Sequence, residues 1–165
     1  MQGKIVCSGC GNEMAPSAKF CTSCGKMVSD AEDILTADNV SRELLKSIFD
    51  AAYMDVTLGK GDGIIVKEGF RCLVLPKKEQ NLIKLLISLT FKPQLNDLQK
   101  LEFVNKVNKD YIIVRATANK NSLICDHDIM MDGGLKRAAL VQQVKRFCMA
   151  VPKNLTACGG ANILE

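Results

Sequence analysis

Leu82-Ile-Lys-Leu-Leu-Ile-Ser-Leu-Thr-Phe91 is the stretch on which the fold turns. Leu82, Leu85, Leu86 and Leu89 fit one face of a helix, whereas Ile83, Leu85, Ile87, Leu89 and Phe91 fit one face of a strand. Ten residues, a Pro93 just behind them and turn residues ahead of them favour a strand, the third of a meander. The strand before it is Phe70 to Leu75, where Phe70, Cys72 and Val74 alternate with Arg71, Leu73 and Leu75. Glu68-Gly69 is the tight turn into that strand, and Ile64-Ile65-Val66 is the strand before the turn. Gly59-Lys-Gly-Asp-Gly63 separates this run from Val56-Thr-Leu58. The glycine cluster lacks the GxxxxGK[ST] spacing and leads into a strand, so it reads as a turn and not as a phosphate cradle.

Upstream of the meander, Val40, Leu44, Leu45, Ile48, Phe49, Ala52 and Tyr53 recur at helical spacing behind Asn39 or Ser41 as a cap. Downstream, Asn96 to Val107 reads as a helix with Asn96 and Gln99 at capping-box spacing. Leu98, Leu101, Val104 and Val107 form its expected inner face, and Asn108 its end. Tyr111 to Thr117 and Ser122 to Met130 follow as a hairpin through Asn119-Lys120-Asn121. Asp132-Gly-Gly134 breaks the pattern before a last helix whose inner face is Leu140, Val144, Phe147, Cys148 and Val151, and which Pro152 is expected to end. The order is helix, three strands, helix, two strands, helix, an α+β fold with helices packed on an antiparallel sheet.

Several strands are apolar on both alternation sets. Leu73 and Leu75 lie opposite Val74, Leu82 and Leu86 opposite Ile83 and Leu85, and Ile113 between Ile112 and Val114. Either the three helices divide between the two faces, or one face is left for an interface.

The N-terminal segment is built on other principles. Cys7-Ser-Gly-Cys10-Gly11 and Cys21-Thr-Ser-Cys24-Gly25 are two copies of CxxCG. Two residues between thiolates let a tight turn present both sulfurs to one ion, and the following glycine permits positive φ. The four cysteines therefore predict one structural Zn²⁺, with iron the chemical alternative. Four ligands leave no open position for water or substrate. Paired redox CxxC motifs are the weaker alternative, because no βαβ pattern surrounds them. The domain organisation expected is a ribbon at residues 1–28, a solvated linker at 29–38, the α+β domain at 39–153 and a tail at 154–165. The tail ends in an aperiodic run, Gly159 to Glu165, and Leu164-Glu165 has the character of an appendage.

Charge excludes little: 22 basic and 18 acidic residues are interspersed, with a modest cluster at Lys136, Arg137, Lys145, Arg146 and Lys153. No run of 18 apolar residues is long enough to span a membrane, and the N-terminus has no secretory h-region. The expected location is the cytoplasm, where the thiols stay reduced. Cys72, Cys125 and Cys148 read as buried free thiols and Cys158 as an exposed one. Cys125-Asp-His127-Asp128 carries the only histidine of the chain. Alternation puts Cys125 and His127 on one face about 6.5 Å apart and the two aspartates on the other, a spacing that suits a polar strand better than a nucleophilic dyad.

With Ala18-Lys-Phe20 before its second pair, residues 5–27 resemble the short zinc ribbons found at the termini of many bacterial and archaeal proteins. That resemblance implies Cys7, Cys10, Cys21 and Cys24 as ligands. Residues 39–151 resemble the YbjN family, whose fold is similar to type III secretion chaperones. The resemblance is carried by Phe103-Val-Asn-Lys-Val-Asn108, Tyr111-Ile-Ile-Val-Arg115, the second hairpin strand and Gly133-Gly-Leu135. It implies helices on an antiparallel sheet, dimerisation, and capture of extended protein segments on apolar grooves or at a strand edge. The expected function is a non-enzymatic zinc-binding interaction module, chaperone-like or regulatory, with a protein partner or a second copy of itself. Nucleic-acid binding through the ribbon is the alternative, although Lys4, Lys19, Lys26 and Phe20 are its only cations and aromatic. A redox-switched holdase is a further alternative.

Overall fold

A computed structural model describes residues 5–7, 9–15, 18, 20–25, 33–59, 61–110 and 113–165. Lys4, Lys19, Lys26, residues 29–32 of the expected linker, Tyr111 and Ile112 lie outside that set. The chain divides into two compact units, Met1–Ile34 and Leu35–Glu165.

In the smaller unit, β1 (Ile5–Val6) pairs antiparallel with β2 (Glu13–Met14), with Ile5 opposite Met14. Its small core holds Cys7, Met14 and Cys21, flanked by Ile5 and Ala18. One methionine among thiols is too little apolar volume to hold a fold by itself.

β3 (Ile34–Leu35) straddles the division, and its Leu35 is wholly buried in the larger unit. Residues 35–38, read as linker from composition, are thus folded. Thr36 N donates to Asn39 Oδ1 (2.9 Å) and Val40 N to Thr36 O (3.0 Å), a turn that leads into α1 (Arg42–Ala51). Ser41 is the N-cap of α1, its Oγ accepting from Leu44 N at 3.1 Å.

Six strands form one antiparallel sheet: β4 (Asp55–Leu58), β5 (Ile64–Glu68), β6 (Phe70–Lys77), β7 (Leu82–Thr90), β8 (Arg115–Asn119) and β9 (Ser122–Met130), in the order β4-β5-β6-β7-β9-β8. The ambiguous stretch is therefore a strand, and it pairs along its length with β6 and β9. One strand more is present than the alternation predicts. Val56-Thr-Leu58 is too short to show a period, but the glycine turn folds it back so that Val56 faces Val66. In that turn Gly59 N donates to Gly63 O at 2.9 Å and Gly61 has φ +62°.

α2 (Asp97–Asp110) opens with the reciprocal box foreseen: Asn96 N donates to Gln99 Oε1 (3.0 Å) and Gln99 N to Asn96 Oδ1 (2.9 Å). Its buried face is rotated from the expected one. Lys100, Phe103, Val104 and Val107 are inside, while Leu98 and Leu101 are exposed. Lys100 turns inward because its Nζ meets Lys120 O (3.2 Å) and Asn121 Oδ1 (3.5 Å) and lies 6.0 Å from the centre of the Phe91 ring. The helix also passes Asn108, whose side chain is used elsewhere. After the short β10 (Leu135–Lys136), α3 (Arg137–Ala157) buries the five predicted residues Leu140, Val144, Phe147, Cys148 and Val151.

Pro152 does not end α3. The ring removes one hydrogen bond, but Asn154, Leu155 and Cys158 beyond it are buried in the core. The expected tail is likewise folded: Leu164 bridges to Phe91 and Glu165 N donates to Thr90 O at 3.1 Å. Cys158, expected to be exposed, is buried. Tyr53, expected on the inner face of α1, is 98% exposed at φ +57°, where the chain reverses out of the helix.

Within the larger unit all three helices lie on one face of the sheet. Val56, Ile64, Val66, Cys72, Val74, Ile83, Leu85, Ile87, Leu123, Cys125 and Ile129 point to them and form one core with Leu45, Phe49, Val107 and Phe147. The helices do not divide between the faces.

Candidate metal centre and open sheet face

Each CxxCG copy folds into the same turn. Gly11 N donates to Cys7 O at 2.9 Å and Gly25 N to Cys21 O at 2.8 Å, with φ +73° and +69° at the two glycines. A side chain there would be strained, although nothing crowds the space where its Cβ would sit. The turns bring all four sulfurs together, every pair within 4.8 Å. Cys7 and Cys24 Sγ are 3.6 Å apart, as are Cys10 and Cys21 Sγ. A tetrahedral ion with arms of about 2.3 Å spaces its sulfurs by about 3.8 Å, so the cluster has the size of such a site.

The backbone favours thiolates here. Amide donors from Gly9 and Cys10 pull the Cys7 thiol below its ordinary value, and Gly9 N lies 3.3 Å from its Sγ. Amides of Cys24 and Ser23, in opposition to burial, bring Cys21 to about 6. Thiolate character is what a borderline-soft cation requires.

The second notable surface is the face of the sheet turned away from the helices. Register places Ile65, Leu73 and Leu86 in one row across β5, β6 and β7, with Asp126 and Arg115 continuing it on β9 and β8. Leu75, Lys84 and Asp128 form the neighbouring row. Ile65, Leu73, Leu75, Leu86 and Ile124 are half-buried and no helix of this unit covers them.

Beside this apolar strip is an ion cluster. Lys84 Nζ lies 2.7 Å from Asp128 Oδ1 and 3.2 Å from Asp126 Oδ2. Arg115 Nε donates to Asp126 Oδ1 at 2.9 Å, and its Nη2 reaches Asp126 and, at 3.2 Å, Asp128. Burial pushes the Asp126 carboxyl up, but the hydrogen bonds from Arg115 and Lys84 outweigh it and hold the group below the usual range. Lys84 is raised, chiefly by its bond to Asp128.

The two sheet edges differ. Asn108 on α2 donates through Nδ2 to Ala116 O at 3.0 Å and accepts at Oδ1 from Ala116 N at 2.8 Å, so its amide occupies the outer edge of β8 as a strand would. Among the described residues, β4 pairs only with β5.

Cys125 and His127 share the helix-covered face and Asp126 and Asp128 the other, as alternation predicts. Burial, then the Asp126 charge, pushes the Cys125 thiol up to about 12, which leaves it protonated and unreactive at neutral pH. From the sequence alone, Lys84, Arg115 and Asn108 have no place in a site. Lys84 interrupts an apolar strand, but its partner Asp126 is 42 positions away and is found only through the strand register.

Residues 6–28 match a zinc-ribbon domain, and residues 41–158 match YbjN, described as "putative bacterial sensory transduction regulator". No functionally curated protein matches the chain. Among solved structures it is similar to YbjN, "a putative transcription regulator from E. coli", at 11% identity and a TM-score of 0.62, over 74% of this chain and 94% of that one. It is also similar to an uncharacterized protein from Methanothermobacter thermautotrophicus, at 17% identity and a TM-score of 0.54, over 74% of this chain and 99% of that one. These likenesses share the fold of helices on one face of an antiparallel sheet. The family match spans most of the chain: this protein belongs to the YbjN family and carries a zinc-ribbon domain ahead of its YbjN domain.

Proposed function

We propose that this protein is a non-enzymatic interaction module in which Cys7, Cys10, Cys21 and Cys24 hold one structural Zn²⁺ and the YbjN domain binds a protein partner through its open sheet face. The observation that carries the reading is the apolar row Ile65, Leu73 and Leu86, with Leu75 beside it, on a face that no helix of the unit covers. Contiguous apolar surface next to a fixed charge cluster suits protein recognition, the apolar part giving affinity and the charges orientation. The regulatory description of the family supports it, since regulators act by binding other macromolecules. A second copy of the chain or an extended segment added at β4 are the forms of partner the geometry accommodates. Among the described residues no helix is long and apolar enough to cross a membrane.

The zinc assignment rests on the family match and on four sulfurs at tetrahedral spacing. With four thiolates bound, the ion supplies structure, because no coordination position remains for a reactant.

The test is light scattering over a concentration series, combined with binding of a hydrophobic dye and of a panel of amphipathic peptides. Association or peptide binding that is lost on Leu86→Asp supports the reading. A strict monomer that binds neither dye nor peptide overturns it. Retention of random single-stranded DNA with a steep salt slope would favour the nucleic-acid alternative suggested by the transcription-regulator description of the E. coli relative.

A further inference from the structure

The helix-facing side of β9 is apolar except at one point. Leu123, Cys125 and Ile129 face the helices and are fully buried, while His127, on the same side, is half-buried and opens onto a cavity of about 240 Å³. Ile113, Gln143, Arg146 and Phe147 complete its lining. Gln143, Arg146 and Phe147 stand at i, i+3 and i+4 on α3 and so share one helical face. The His127 ring stacks on Phe147 with centroids 6.1 Å apart and planes 21° from parallel, and it is within hydrogen-bonding reach of Gln143.

Three independent observations converge here. A polar ring interrupts the otherwise apolar helix-facing side of β9, where burial holds its basicity below the ordinary range. A cavity lies against that ring. Arg146, at the cavity, is exposed and makes no ion pair or hydrogen bond among the described residues. Arg115, the cation on the neighbouring strand, is committed to Asp126 and Asp128 on the opposite face of the sheet.

We propose that this cleft between β9 and α3 binds a small monocarboxylate with an apolar body. The guanidinium fork of Arg146 matches a carboxylate in two parallel hydrogen bonds. Phe147 and Ile113 take the apolar body. The neutral imidazole and Gln143 offer hydrogen bonds to a polar substituent or to the second carboxylate edge. A phosphate dianion would stay half-neutralised over an apolar floor, and an uncharged ligand would cover Arg146 without pairing it. The cavity is smaller than those that hold drug-sized ligands, which restricts the occupant to a compact molecule. This site is separate from the open sheet face, and neither assignment depends on the other.

His127 is the only histidine of the chain, so its imidazole gives a single set of NMR signals to follow. Benzoate titrated into the full-length protein at pH 7 is expected to shift those signals saturably. Benzamide and inorganic phosphate should bind at least about tenfold more weakly. Arg146→Gln should weaken benzoate by about tenfold or more, equivalent to about 1.4 kcal/mol, with an unchanged melting temperature. Phe147 is core, so the smaller change Ile113→Ala serves as the second variant and should weaken benzoate while leaving phosphate unaffected. No saturable shift, equal shifts from benzamide or phosphate, or full binding by Arg146→Gln would each overturn the assignment.

Discussion

Stripping the metal from the purified, reduced protein with a strong chelator is expected to unfold the smaller unit and leave the six-stranded unit intact. Among the described residues of the smaller unit, Met14 is the one large apolar side chain that is buried, the other core members being Cys7 and Cys21. Burying one such side chain stabilises by about 1.5–3 kcal/mol. A structural zinc in a short peptide contributes on the order of 10–16 kcal/mol near neutral pH. The metal therefore outweighs the core several-fold, and without it the hairpin and both glycine turns have nothing to hold them. The larger unit owes nothing to the ion, since its core is filled by residues such as Phe49, Leu85, Leu123 and Phe147 from helices and strands alike. Cys10→Ser should reproduce the effect of the chelator by removing one of the four sulfurs. Elemental analysis should give one zinc per chain, and amide spectra should lose the dispersed signals of residues 5–25 while those of the sheet remain. A chelator that melted both units in one transition, or a preparation free of both zinc and iron, would refute the reasoning.

Leu86→Asp, at the end of the apolar row, should abolish partner or self-association at a stability cost of about 1–3 kcal/mol by urea denaturation, since Leu86 is half-buried on the side away from the core and the new carboxylate stands across from Asp126. Asn108→Ala should cost about 1–3 kcal/mol by leaving both backbone groups of Ala116 unpaired. Asp126→Asn should cost about 1–2 kcal/mol at pH 7, a figure kept modest because Arg115 is largely solvent-exposed. Because the folded carboxyl of Asp126 titrates below 3.8, its contribution is complete above that pH and disappears as pH falls through the folded value, so the two proteins should converge in acid.

The strand assignment of residues 82–91 was legible because turn residues ahead of them and Pro93 behind them leave a run too short for a typical helix, and the cysteine turns were legible because metal chemistry dictates their spacing. What the sequence concealed has specific causes. Leu98 and Leu101 have the spacing of an inner face, but Lys100 gains carbonyl partners at the β8–β9 turn and an aromatic face at Phe91, which rotates α2. Pro152 carries a helix-ending signal, yet burial of Leu155 and Cys158 beyond it outweighs one lost hydrogen bond. The Lys84, Asp126, Asp128 and Arg115 cluster requires three strands in register, which no local pattern encodes. The apolar character of both sheet faces was readable, but which face the helices choose is decided by packing.

The Asn108 amide that occupies the margin of β8 bears on how far copies of this protein can assemble. A sheet with two receptive margins can add molecules at each end without limit, as fibres do. Among the described residues, one margin of the six-stranded sheet is held by a side chain from the same molecule, and the other, β4, is left to receive a strand. Two molecules joined through β4 would each present only a blocked margin outward, so growth along the hydrogen-bonding direction would stop at a closed pair.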